Sequence, residues 1–123
     1  MPSGLAPTQV AAHLPLSPRE YLILFALVDG ARHGHGILKS MEAQSDGVIF
    51  DPANLYRSLR KLERDGLVVE TARRDQEAGG PPRRFYRLTR LGRAVLAAEA
   101  TRLARLADAA RARRLVSPAG GVG

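Results

Sequence analysis

The chain has no cysteine, and that absence excludes a disulfide scaffold, a thiol nucleophile and any Cys-ligated metal site. It fits a reducing compartment, and the cytoplasm is the expected location. Tryptophan is also missing, and aromatic residues make up only 5%. Sequence-specific RNA modules interleave aromatics with basic residues, so this scarcity weighs against RNA as the partner. No apolar run approaches the roughly 20 residues that span a bilayer, so no membrane partner is expected. The opening stretch, MPSGLAPTQVAAHLPL, lacks a basic n-region and a continuous apolar segment. It predicts no signal peptide, and residues 1–15 read as a flexible arm.

What the chain does have is positive charge. Its 123 residues suit one domain, and 45% hydrophobic residues are enough for a core. The net charge is +7, with 19 basic residues against 12 acidic ones. Only Lys39 and Lys61 are lysines, and the other basic residues are arginines. Between Pro52 and Arg93, eleven basic residues stand against five acids, so about a third of the chain holds most of the net charge. Such concentration points to a polyanion partner.

Catalysis finds little footing. The histidines are His13, His33 and His35. The i, i+2 pair His33/His35 lies on a glycine-marked turn without Cys or carboxylate neighbours, a poor metal site. The glycines of HGHG lack the spacing of a phosphate loop. No cofactor, no metal and no enzyme activity is expected.

Start and stop signals divide the chain into elements. In LSPREYLILFALVDG, Ser17, Pro18 and Glu20 form a capping box ahead of a nearly continuous apolar run, and Gly30 is the stop. A second helix follows RHGHG, with Ile37, Leu38 and Met41 at helical spacing. A third begins at Asp51 and Pro52 and stops at Gly66. LVVETARRD and RRFYRLT read as two strands flanking the Gly/Pro-rich DQEAGGPP. A long last helix starts after Thr89. The predicted fold is mainly α with a two-stranded β wing, the winged helix-turn-helix layout, followed by a long C-terminal helix. The predicted organisation is an arm over 1–15, a winged helix-turn-helix over 16–88, a dimerisation helix over 89–115 and a disordered tail over 116–123.

The third helix carries the binding signal. At about 100° per residue, Leu55, Leu59 and Leu62 form one narrow stripe. Ala53, Arg57, Arg60 and Arg64 lie roughly opposite, with Lys61 and Asn54 at the edge of that arc. A recognition helix needs one anchored face and one face that enters a major groove about 12 Å wide. There Arg can bond guanine bidentately and Asn can read adenine. Early positions, Asn54 and Arg57, are placed for base edges, and Arg64 for a phosphate. A basic face alone could be a solvated surface. Here no acid interrupts the arc, and the hairpin adds Arg73, Arg74, Arg83 and Arg84 on either side of its tip. The competing reading of those four is strand-end charge that blocks edge pairing.

YLILFALVDGARHGHGILKSME, PANLYRSLRKLERDGLV and RRFYRLTRLGRAVLAAE together resemble the PadR family of bacterial transcriptional regulators, over roughly Leu16 to Leu115. The resemblance implies a winged-helix homodimer on a palindromic DNA operator, usually as a repressor. It implies recognition by the third helix, with the wing on the flanking backbone. It also implies dimerisation through the single C-terminal helix, as in the short subfamily. Tyr56 in LYRSL matches the family pattern and implies a phosphate or groove contact. His35 stands where the family commonly has Tyr in HGYGI; it is expected to keep a hydrogen bond to phosphate and to give up packing. No Trp is present to stack a planar drug between dimer halves, as some members do. An effector small molecule would be a further partner of such a regulator, but no residue names one.

The last helix supports a dimer on physical grounds as well. At about 25 residues it would run roughly 37 Å, longer than a domain this small can cover. Its stripe of Leu96, Ala100, Leu103, Leu106, Ala107 and Ala110 is expected to face a second copy. The alternative to a sequence-specific regulator is a winged helix used only for protein–protein contacts, which would not need an unbroken basic arc.

Overall fold

A computed structural model of the chain describes residues 4–46, 50–74 and 82–117; the side chains of residues 72–74, 82 and 83 lie outside it. Its elements are α1 (Pro7–Ala11), α2 (Pro18–Ala26), β1 (Arg32–His33), α3 (Gly34–Ala43), α4 (Pro52–Arg64), β2 (Val68–Arg74), β3 (Pro82–Leu88) and α5 (Arg90–Ala112).

The capping box of α2 forms as its sequence dictates. The Glu20 N–H donates to Ser17 Oγ at 3.1 Å, and the Ser17 N–H donates to Glu20 Oε1 at 3.0 Å. The helix drives Ile23, Leu24 and Ala26 into the core. Its last carbonyl, and one in the turn just beyond it, are met by arginines. Arg32 Nε donates to the Ala26 carbonyl at 2.7 Å, and Arg93 Nη2 to the Val28 carbonyl at 3.2 Å. In α4, Asp51 caps by accepting from the Ala53 N–H, and Leu55, Leu59 and Leu62 are all buried. These leucines join Ile37 and Met41 of α3 and Val95 of α5 in one core.

The sheet has three strands, not two. Its order is β1-β3-β2, all antiparallel, with Val68 opposite Leu88, Arg73 opposite Arg83 and Arg32 opposite Tyr86. The extra strand is two residues long, too short for any alternation of side chains to announce it. It exists because β3 offers a free edge to the segment entering α3. The hairpin tip, residues 75–81, lies outside the described residues.

Two further departures concern the ends. Residues 7–11, expected to belong to a flexible arm, form α1, which packs on α5. Val10 and Leu14 supply the apolar contacts against the core. The last helix closes at Ala112, with Arg113 as its C-cap, and not at Leu115. The start of α5 is fixed at the corner between α4 and β2. Thr89 Oγ1 accepts from the Gly92 N–H and donates to the Gly66 carbonyl. Gly92 lies so close to the Leu67 carbonyl that a Cβ there would collide with it. This glycine lets the last helix dock under the wing.

Candidate nucleic-acid interface

Opposite its leucines, α4 presents Ala53, Tyr56, Arg57, Arg60, Lys61 and Arg64 to solvent, with Asn54 half-buried near the N-terminus. The two flanks of this exposed face differ.

On one flank, α4 meets the start of α3 and the wing around a hollow lined by His33, Gly34, His35, Tyr56 and Arg84. His33 caps α3 by accepting the Gly36 N–H on Nδ1 at 3.1 Å, which requires that nitrogen to be unprotonated. Its ring stands edge-on to Phe85, with centroids 5.4 Å apart, and stacks on His35 at 6.3 Å. The cap was not foreseen; its only local signal is a polar residue ahead of the GHG that opens the helix. Gly34 and Tyr56 are also coupled. A Cβ on Gly34 would strike the Tyr56 ring and hydroxyl, so α3 and α4 approach through a glycine and a phenol. His35 and Tyr56 both stay exposed at the mouth of this hollow.

On the other flank, a second hollow is lined by Arg19, Asn54, Arg57, Ser58, Arg60, Lys61 and Arg64. Within it the basic residues are not equivalent. Lys61 Nζ lies 2.9 Å from Glu20 Oε2 and 3.2 Å from Asp65 Oδ2. The hydrogen bonds to Glu20 and then to Asp65 hold its ammonium above the usual lysine range. Burial alone would raise the Glu20 carboxyl, but the Ser17 N–H and Lys61 outweigh it and keep it below the usual range. Lys61, expected among the DNA-facing cations, is therefore tied into an ion pair linking α2 to α4. Among the described residues, Arg57, Arg60 and Arg64 have no such carboxylate partner.

The wing is less openly basic than its sequence implied. Arg84 Nε lies 3.1 Å from Glu70 Oε2 on the neighbouring strand. The side chains of Arg73, Arg74 and Arg83 lie outside the described residues. Beneath the wing, Tyr86 is buried. Burial, with the nearby Glu70 and Glu63, pushes its hydroxyl above the usual tyrosine range.

The expected dimer stripe on α5 divides in two. Leu96 is 5% exposed and sits in the chain's own core, so it is not free for a partner. Beyond it, Ala100, Ala107 and Ala110 are half-buried, while Leu103 and Leu106 are 37% and 55% exposed. The physical reason is that only the first turns of α5 reach the core. Among the described residues, none of α5 after Glu99 is buried.

A helix bundle that sets a basic helix beside an antiparallel wing defines a winged helix-turn-helix protein. The chain belongs to the transcriptional regulator PadR-like family, whose profile matches residues 23–98, more than half its length. By family it stands among transcriptional regulators. It is 38% identical over 73 residues to "Transcriptional regulator Rv3488" of Mycobacterium tuberculosis, a match covering 59% of this chain and 65% of that protein. It is 40% identical over 87 residues to an "Uncharacterized 37.1 kDa protein in transposon TN4556" of Streptomyces fradiae, covering 71% of this chain and 23% of that one. The chain thus spans less than two thirds of the length of these curated relatives. Among solved structures, a PadR family transcription regulator from Clostridium difficile R20291 shares the fold with TM-score 0.67 at 19% identity, over 77% of this chain and 96% of that one. Bacillus subtilis PadR in complex with operator DNA does so with TM-score 0.57 at 23% identity, over 67% of this chain and 46% of that one.

Proposed function

We propose that the protein is a cytoplasmic, sequence-specific DNA-binding repressor that occupies a palindromic operator as a homodimer. The observation that carries this reading is the row of arginines, Arg57, Arg60 and Arg64, exposed opposite the buried leucines of α4 and free of carboxylate partners among the described residues. Guanidinium groups on a helix anchored by its other face suit the acceptor edges of guanine and the phosphates that flank them. The solved complex of Bacillus subtilis PadR with operator DNA supports the same use of a shared fold.

In this reading α4 enters the major groove. Asn54 and Arg57, nearest its N-terminus, face base edges, and Arg64 faces a phosphate. His35, Tyr56 and the wing arginines Arg73, Arg74, Arg83 and Arg84 follow the flanking backbone. The outer half of α5, with Leu103 and Leu106, pairs with a second copy. Two recognition helices then fall about one DNA turn apart, near 34–36 Å.

Selection of bound fragments from the sheared DNA of its own genome would yield the operator and its half-site spacing. Fluorescence anisotropy at 150 mM salt should then give much tighter binding to that operator than to random DNA of equal length. Equal affinities would overturn sequence-specific recognition.

A further inference from the structure

We infer that Arg19, at the start of α2, is a DNA-backbone contact, so that α4 lies between two phosphate-binding shoulders, one for each strand of the groove it enters. The inference rests on the DNA-binding reading above. A helix with its side chains is about 10–12 Å across, and the major groove is about 12 Å wide. A helix seated there is bordered by a phosphate backbone on each side. Here α4 has a hollow on each side. One holds His35, Tyr56 and Arg84 at the start of α3 and the wing. The other is lined by Arg57, Arg60 and Arg64 of α4 with Arg19 of α2 across from them.

Three features single out Arg19. It is exposed on the first turn of a helix whose start is fixed by a complete capping box, so its backbone is anchored. No carboxylate lines the hollow it shares with the three arginines of α4. The acid beside it in sequence, Glu20, is engaged by Lys61 at 2.9 Å. That ion pair braces the start of α2 against the second half of α4, and Glu20, next to Arg19 along the helix, does not share its face. Four guanidinium groups on one unneutralised wall suit a row of phosphates, which carry no base information. Arg19 therefore contributes affinity common to all sequences, and the specificity stays with α4.

The test compares the full-length protein with Arg19→Ala and Arg19→Lys, by anisotropy on the selected operator and on random DNA from 50 to 200 mM salt. Loss of one phosphate contact lowers the slope of log affinity against log salt by about 0.9. The affinity deficit of Arg19→Ala should therefore shrink about three- to four-fold across that range. The deficit should be the same on both DNAs, and Arg19→Lys should restore the slope. A wild type that discriminates while Arg19→Ala keeps its slope overturns this inference alone. A deficit confined to the operator also overturns it, because it would assign Arg19 to the bases. A wild type that binds the two DNAs equally overturns the sequence-specific reading, and one that binds neither overturns the DNA-binding reading on which this inference rests.

Discussion

Arg57 and Lys61 stand four residues apart on the exposed side of α4, yet the fold gives them different work. Arg57 is exposed with no carboxylate beside it among the described residues, whereas Lys61 bridges Glu20 and Asp65. Replacing Arg57 with Ala should cost about 1–3 kcal/mol in operator affinity and flatten the preference at one base pair, read by anisotropy on a panel of single-substitution operators. Lys61→Ala should leave the salt slope of DNA binding unchanged. Its effect should appear in urea unfolding, as a loss of about 0.2–1 kcal/mol, because the lysine side chain is 53% exposed and the pair is screened. A salt slope lowered by Lys61→Ala would return that residue to the DNA. The leucine stripe and the arginine arc were legible because helical spacing is local. The partner of Lys61 was not, because Glu20 lies 41 residues away and no spacing rule connects them.

At the scale of elements, caps made the helices readable and pairing hid β1. Ser17, Asp51 and Thr89 each cap the helix that their sequence context announces. The C-terminus of α5 is different. There Arg114 adopts a left-handed backbone at φ 60°, and the Leu115 N–H donates to the Ala110 carbonyl at 2.9 Å. In α4 the same closure is made by Gly66 at φ 80°, with the Leu67 N–H on the Leu62 carbonyl. The left-handed region costs an L-residue roughly 1–2 kcal/mol that glycine avoids, partly offset by glycine's greater unfolded entropy. Arg114→Gly should therefore stabilise the protein by about 0.5–1 kcal/mol, raising the melting temperature by a few degrees in calorimetry. An unchanged or lower melting point would mean that the arginine's charge at the helix end outweighs its backbone. The same helix carries the proposed dimer. Leu103→Asp places a charge in the partly exposed stripe beyond the core, and sedimentation should then report monomers that keep the wild-type circular dichroism. An unchanged dimer mass would move the interface off α5.

For the whole molecule, the order of helices and hairpin was readable, but the way the N-terminal segment is fastened was not. That segment was expected to be loose because it carries no continuous apolar run. The anchor lies at the far end of the sequence. Glu99 of α5 is buried, accepts the Leu16 N–H on Oε2 at 3.1 Å, and receives Arg102 Nε and Nη2 at 2.6 and 2.8 Å. Arg102 holds its carboxyl below the usual carboxylate range, against the opposing effect of burial and with help from the Leu16 N–H. A carboxyl whose folded pKa lies below its unfolded value of about 4.3 contributes stability that is fully present above that value. The contribution is lost as pH falls from there through the lowered folded pKa. Glu99→Gln keeps the shape but offers an amide N–H₂ where donors already converge, so at pH 7 it should lose about 1–3 kcal/mol. Urea midpoints at fixed protein concentration, taken from pH 6 down to pH 3, should fall less steeply for Glu99→Gln than for the wild type. The variant should keep some slope, because Glu20 is also held below its usual range. Parallel curves for the two proteins would show that the Glu99 carboxylate is not what ties the segment around Leu16 to α5.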